Sequence, residues 1–221
     1  MRVCWSERRH EPWQVQCQHL TLLLLMVLIA FGTDVSGKPH LTPPQQVIQH
    51  VSDGLRQVLQ DDRQRLRNDR AAVHRLVDEL FLPHIDLDRV AALILGPYWR
   101  DATPAQRRAF TAAFKDLVVN SYAHAVDELD AWNIRHLPPR AGSHPDRVLV
   151  RTRIERPRGT PVAVDYRMIR KNDRWLAYDV LVEGVSLLTN YRSSFTGIAR
   201  ERGIDGLIQE IRRRNGTWTD D

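Results

Sequence analysis

Two acidic residues in one largely apolar stretch, YDVLVEG (178–184), are the first candidates for chemistry: Asp179 and Glu183. A carboxylate in an apolar pocket can act as a general acid or base, because burial raises its pKa toward neutrality. Acid–base catalysis also needs a second polar group that converges on the same substrate, and no histidine lies near this stretch. An acid–base enzyme with Asp179 or Glu183 as its base is therefore an alternative, and our leading expectation is a protein that is not an enzyme.

Histidine and carboxylate residues at helical spacing are the next candidates, because residues four apart share one face of a helix. His74 and Asp78 form one such pair, and His124 and Glu128 form another. Zinc sites in proteins use three or four protein ligands, so a pair alone is weak evidence. The sequence also lacks the GxSxG, HExxH and phosphate-loop patterns. We therefore expect no metal and no cofactor.

The apolar residues around the two carboxylates follow two periods in succession. Tyr178, Val180 and Val182 alternate with other residues, which predicts a strand. After Gly184, apolar residues recur every three or four positions, which predicts a helix that begins almost without a loop. These residues are Val185, Leu188, Tyr191 and Phe195. So much apolar surface at one corner predicts a cleft between the sheet and its covering helices.

The same periods define the rest of the chain. Thr103-Pro104-Ala105-Gln106 is a capping box with proline at the first helical position. Helices are predicted over 45–67, 69–81, 87–95, from Thr103 to about 129, from Gly184 to Gly203, and over 204–214. Strands are predicted over 132–136, 147–155, 162–168 and 175–182. This order predicts an α+β fold, with a four-stranded antiparallel sheet and about six helices, some of which cover the apolar face of the sheet.

The N-terminal region predicts export. Residues 20–31, LTLLLLMVLIAF, form an apolar run of 12 residues that follows several arginines, which is typical of a signal peptide. We predict a signal peptide over 1–37, a linker over 38–44, a single domain over 45–214 and a flexible tail over 215–221. An uncleaved N-terminal anchor is the alternative, because the two kinds of segment overlap in length.

Charge and cysteine content narrow the possible partners. The net charge is +5, and all but three of the 32 basic residues are arginine, with acidic residues interspersed. An exported protein with this mixed surface is not expected to bind nucleic acid. Both cysteines, Cys4 and Cys17, precede the apolar run, so the exported chain has neither a disulfide nor a thiolate metal site.

Four segments in this order carry a resemblance to a known family: LGPYW (95–99), TPAQRRAF (103–110), YDVLVEGVS (178–186) and GIDGLI (203–208). The chain resembles the MlaC, or toluene-tolerance, family over about residues 45–214. The resemblance implies a curved four-stranded antiparallel sheet wrapped by helices, similar to the sheet of NTF2-like proteins, and a deep apolar pocket that holds phospholipid tails. A hopanoid-associated branch of the same family is the alternative for the cargo.

The resemblance also implies a cellular role. It implies a monomeric periplasmic carrier that shuttles phospholipid between an outer-membrane lipoprotein–porin complex and an inner-membrane ABC transporter complex, and so maintains outer-membrane lipid asymmetry. Phospholipid is then the cargo and not a cofactor.

Apolar residues on the predicted strands and helices are the candidates for the lipid site. They share one face of the sheet or lie on the two helices expected to cover that face. These residues are Phe114, Val118, Tyr122, Val148, Val150, Val164, Tyr166, Tyr178, Val180, Val182, Val185, Leu188 and Tyr191.

Overall fold

The structure is a computed structural model that describes residues 40–122, 132–141, 144–157 and 159–217. The predicted signal peptide over 1–37, the alternative anchor and the pair His124 and Glu128 lie outside the described residues. The chain from Leu41 onward forms one compact unit.

The N-terminal part of this unit is helical. Helix α1, Pro43–Asp61, begins with a capping box in which the Thr42 backbone N–H donates to Gln45 Oε1 at 2.9 Å. The predicted helix over 45–67 is in fact two helices, because Asp62 has non-helical backbone angles and interrupts it. The second helix, α2, covers Arg63–Asn68. Helix α3, Arg70–Leu76, continues into a π-helical turn over Val77–Phe81 and a 3₁₀ turn over Leu82–His84.

Three further helices follow, of which the first and the third were predicted from the sequence. Helix α4, Leu87–Leu95, begins where the Asp86 carboxylate accepts from the backbone N–H of Arg89, and it ends at Gly96. The short α5 covers Tyr98–Asp101, and α6 covers Pro104–Tyr122. The predicted capping box of α6 is confirmed, because the Gln106 backbone N–H donates to Thr103 Oγ1 at 3.2 Å and Gln106 Oε1 accepts from the Thr103 N–H.

The sheet is an antiparallel meander in the order β1-β2-β3-β4-β5, which confirms the predicted α+β class. The strands are Asn133–Ala141 (β1), Arg147–Glu155 (β2), Val162–Lys171 (β3), Arg174–Val182 (β4) and Val185–Ser186 (β5). The prediction missed β5. Glu183 and Gly184 have φ of 49° and 81°, as a two-residue hairpin turn requires, and they return the chain so that Val185 pairs with Val182.

The last helix, α7, covers Leu187–Thr217 and begins after β5 rather than at Gly184. Gly203 has non-helical backbone angles, φ 67° and ψ −177°, so α7 consists of two helical segments that meet at a kink there. This confirms the prediction that Gly203 ends one helical segment and that another follows it. The helix also extends into the predicted tail over 215–221. There the Asn215 side chain donates to the Ala113 carbonyl at 3.0 Å.

Among the described residues, the buried side chains form three clusters. One joins α4, α6 and α7 around Phe110 and Phe195. The second joins α1, α2, α3 and α6 around Leu59 and Val73. The third packs Ile48 of α1 on the inner face of the sheet, together with residues such as Val150. The space between these clusters is the candidate site.

Candidate binding cavity

A cavity of about 420 Å³ lies between the three clusters. Its walls come from α1, the π and 3₁₀ turns, α4, α6, β2, β3, β4 and the first turns of α7. Each buried cluster contributes at least one residue to these walls. The residues that line the cavity are mostly aliphatic and aromatic. The cavity volume is within the range for sites that enclose small molecules, about 300–1,000 Å³. Such a cavity can exclude water from an apolar ligand.

Seven of the thirteen predicted residues lie on the cavity wall. Two come from α6, one from β3, two from β4 and two from α7. They are Phe114, Val118, Tyr166, Tyr178, Val180, Leu188 and Tyr191. The structure therefore brings together the residues from the predicted sheet–helix corner.

Five predicted residues lie elsewhere, and Tyr122 closes α6 with a side chain outside the described part of the structure. Val150 is fully buried, and it belongs with Val148 to the cluster between α1 and the sheet. Val164 is half-buried but does not line the cavity. Val182 and Val185 are 37% and 63% exposed, because they flank the β4–β5 turn beyond the helices. These five residues do not line the cavity, and their part in lipid binding stays a prediction.

An irregularity in β4 shapes the wall that this strand contributes. Met168 of β3 pairs with Ala177, whereas the preceding residue, Arg167, pairs with Asp179, so Tyr178 is an extra residue in the ladder. In a regular strand neighbouring side chains point to opposite faces, but a bulge re-aims them. Ala177 and Tyr178 are neighbours in sequence and both line the cavity.

The wall opposite the sheet was not predicted from the sequence. It consists of apolar residues of α1, the π and 3₁₀ turns and α4, whose helical spacing was visible without any sign that they face a cavity. These residues include Val47, Val51, Leu55, Val77, Phe81, Leu82, Ile85, Leu87 and Val90. A stripe at this spacing looks the same whether it packs on a core or borders an empty volume.

Asp179 lines the cavity, and both oxygens of its carboxylate accept hydrogen bonds. Its side chain is 1% exposed. It accepts from Arg167 Nη1 at 2.7 Å, Ser186 Oγ at 2.8 Å and the Leu188 backbone N–H at 3.1 Å. Three donors from β3, β5 and α7 therefore meet on one carboxylate, which fixes the start of α7 against the sheet.

Glu183, the other predicted general base, has a structural contact as well. Its carboxylate accepts from the Ala163 backbone N–H, while its own backbone N–H donates to the Ala163 carbonyl at 2.9 Å. These two bonds hold the β4–β5 turn against the start of β3. Both carboxylates thus stabilise the strand-to-helix corner.

A second ion pair involves the cavity wall. Lys115 of α6 lines the cavity, and its Nζ lies 3.0 Å from Asp78 Oδ1 in the π-helical turn. This contact joins α6 to the π-helical turn. It also accounts for Asp78 of the pair His74 and Asp78, while His74 Nε2 lies 3.3 Å from Asn120 Oδ1. Among the described residues, no three His, Cys, Asp or Glu side chains are grouped to hold a metal ion.

Two titratable side chains on the wall are neutral at pH 7. Burial raises the pKa of Tyr166 to about 12, and the charge of Asp165 adds to this effect. Burial, with smaller effects from His50 and Arg174, lowers the pKa of His84. The ring of His50 meets that of His84 edge-to-face at 5.6 Å. The wall therefore presents little charge to a ligand.

An antiparallel sheet and helices that enclose a mainly apolar cavity define a class of protein suited to hold an apolar ligand. The chain belongs to the MlaC protein family, whose model matches residues 49–213, and this confirms the predicted resemblance. No described helix combines the length and the hydropathy needed to cross a membrane.

Individual proteins support the family membership. The chain is 24% identical to the intermembrane phospholipid transport system binding protein MlaC of Haemophilus influenzae over 202 residues, which are 90% of this chain and 94% of the relative. It is 25% identical to the toluene tolerance protein ttg2D of Pseudomonas putida over 197 residues, 86% of this chain and 89% of the relative.

A solved structure shares the fold. The phospholipid-binding protein of Ralstonia solanacearum, solved in complex with a phospholipid, is 27% identical, with a TM-score of 0.75. The match covers 80% of this chain and 99% of that one.

Proposed function

We propose that this protein is a periplasmic phospholipid carrier that holds acyl chains in the cavity. The observation that supports the proposal most strongly is the apolar cavity of about 420 Å³ in the fold of a protein solved with a phospholipid. The predicted signal peptide agrees with a periplasmic location. The role of the cavity residues in lipid binding is part of this proposal.

The energetics of tail burial fit a carrier. Each methylene moved out of water contributes about 0.8 kcal/mol, so the loss of a whole chain into water is strongly unfavourable. A bilayer offers the tails nearly the same environment, because lipid tails are as apolar as leucine side chains. Transfer between membrane and cavity is therefore close to balanced, and contacts with a docking partner can set its direction.

The volume limits what the cavity encloses at one time. If a methylene occupies about the volume of a water molecule, about 30 Å³, the cavity holds on the order of one acyl chain. A second chain then requires the rim to widen or lies along the open side of the cavity.

We further propose that the carrier moves phospholipid between an outer-membrane lipoprotein–porin complex and an inner-membrane ABC transporter complex. Support comes from the family, in which the Haemophilus relative is named for intermembrane phospholipid transport. Maintenance of outer-membrane lipid asymmetry is the expected result.

Native mass spectrometry of protein purified from bacteria that express the full-length chain tests the cargo. We expect a bound mass that organic extraction identifies as phospholipid, and delipidated protein should regain it from phosphatidylethanolamine and phosphatidylglycerol vesicles. Uptake of a hopanoid but of no phospholipid would favour the alternative branch of the family. Protein that takes up neither lipid would contradict the proposal.

A further inference from the structure

The face of the sheet that points away from the cavity is rich in arginine. Strand pairing sets Arg135 opposite Arg153 and places both Arg140 and Arg167 opposite Leu149. These positions alternate with Ile134, Val150 and Met168, which are buried on the inner face. We name these outward-facing arginines of β1, β2 and β3 the arginine face. They are Arg135, Arg140, Arg147, Arg151, Arg153 and Arg167.

An irregularity in β1 places Arg140, near the end of that strand, on the outer face of the sheet. The register shifts between Leu137 and Arg140, across the two prolines of the strand. Without the shift, Arg140 would fall on the inner face, because side chains alternate along a regular strand. The shift returns Arg140 to the outer face beside β2.

Carboxylates neutralise half of the arginine face. Arg135 pairs with Glu155 at 2.6 Å, Arg153 lies 3.9 Å from Asp165, and Arg167 pairs with Asp179 at 2.7 Å. The other three arginines, Arg140, Arg147 and Arg151, have no carboxylate within 4.0 Å in the described part of the chain. The exposed Arg140 and Arg147 and the half-buried Arg151 therefore leave a local excess of positive charge.

The residues between these arginines are aliphatic. Leu137, Leu149 and Ile169 are half-buried there, where the apolar stems of neighbouring arginines can cover them. No aromatic residue of β1, β2 or β3 belongs to this face, because Tyr166 points to the cavity. Hot spots of protein interfaces are enriched in Trp and Tyr as well as Arg, and this face has arginine without either aromatic type. Together with the excess of positive charge, this composition favours the negatively charged surface of a bilayer as the partner.

We propose that the arginine face is a docking surface for anionic phospholipid bilayers. A guanidinium group matches the geometry of a phosphate, to which it can donate two parallel hydrogen bonds. Each basic side chain close to an anionic bilayer strengthens binding about fivefold at moderate ionic strength. The arginine face is distinct from the cavity, so this inference does not depend on which cargo the cavity holds.

Vesicle flotation tests the proposal. Protein purified from cells expressing the full-length chain is mixed with vesicles of phosphatidylcholine alone or of phosphatidylcholine with phosphatidylglycerol. We expect binding to the anionic vesicles only, and its loss in high salt. The variant Arg140→Gln/Arg147→Gln/Arg151→Gln should bind on the order of 100-fold more weakly, since it removes three charges from the proposed surface.

A matched variant separates local docking from the effect of net charge. Arg108→Gln/Arg200→Gln/Arg212→Gln removes three exposed arginines of α6 and α7, so both variants lose the same formal charge. We expect the matched variant to stay within about threefold of wild type. Circular dichroism confirms that both variants are folded, as expected for substitutions at exposed or half-buried positions.

Three results would overturn the proposal. They are a wild-type protein that does not float with anionic vesicles, an equal loss of binding in the two triple variants, and equal binding to neutral vesicles. The wild-type protein could instead fail to bind vesicles but bind immobilised polyglutamate through Arg140, Arg147 and Arg151. That result would overturn the proposal and assign the arginine face to an acidic protein partner.

Discussion

Replacing Val180 with glutamate tests the cavity directly. Val180 is half-buried, pairs with Tyr166 across the sheet and lines the cavity with it. Val185 lies only five positions further along the chain but is 63% exposed at the turn. The same substitution therefore places a carboxyl group against a bound acyl chain at position 180 and in solvent at position 185.

The expected magnitude follows from the charge. A glutamate side chain next to hydrocarbon is expected to bind a proton, and at pH 7 this costs about 4 kcal/mol relative to its ordinary pKa of about 4.3. A penalty of that size weakens lipid binding by a factor on the order of several hundred. At pH 5 the cost of protonation falls to about 1 kcal/mol, so acid should restore most of the affinity of Val180→Glu.

The assay is the transfer of a fluorescent phospholipid from vesicles to each variant at pH 7 and pH 5, with native mass spectrometry to count bound lipid. Val185→Glu should resemble wild type at both pH values. Equal transfer to the two variants at pH 7, or loss in Val180→Glu without recovery at pH 5 although the protein is folded, would refute the assignment of this wall to acyl chains.

Five further substitutions test the structure around the site. Asp179→Asn should lower the free energy of unfolding, measured by urea titration, by about 2 kcal/mol, because it removes a charge-assisted hydrogen bond from a buried site. Glu183→Gln should lower it by less than about 1 kcal/mol. Equal effects of the two substitutions would contradict the role of Asp179. Gly96→Ala should destabilise the protein by about 1–3 kcal/mol, because Gly96 has φ 56° and ψ −121°, whereas Gly197→Ala within α7 should stabilise it by about 0.5–1 kcal/mol. The lowered pKa of His84 means that the unfolded chain takes up its proton first, so the free energy of unfolding should fall as the pH drops below about 6.5. His84→Gln should flatten this slope, and an unchanged slope would assign it to other groups.

Local signals in the sequence predicted the elements well. The capping box at Thr103 and the alternation in β2 are properties of neighbouring residues, so α6 and β2 begin where the pattern places them. The hairpin at Glu183 was harder to predict, because its two turn residues connect a nine-residue strand to a strand of only two residues. So short a strand has no period of its own.

The cavity wall could be predicted only in part because burial and cavity contact share one sequence signal. Val150 and Val180 are both inward-facing valines, but α1 packs over the first and leaves space beside the second. The bulge at Tyr178 depends on pairing with β3, and nothing in the alternation of β4 marks it. Long-range packing therefore decides which apolar residues border the cavity.

Fluorescence quenching tests most directly whether acyl chains enter this cavity. Trp132 lines the cavity, whereas Trp99 packs beside the helical cluster and under the Arg107 guanidinium group. Two single-tryptophan variants, each with the other tryptophans changed to phenylalanine, are loaded with a phospholipid that carries bromine on its acyl chains. We expect strong quenching of Trp132 and little quenching of Trp99. Loaded protein in which Trp132 is not quenched, or in which the two residues are quenched equally, would contradict the proposed site.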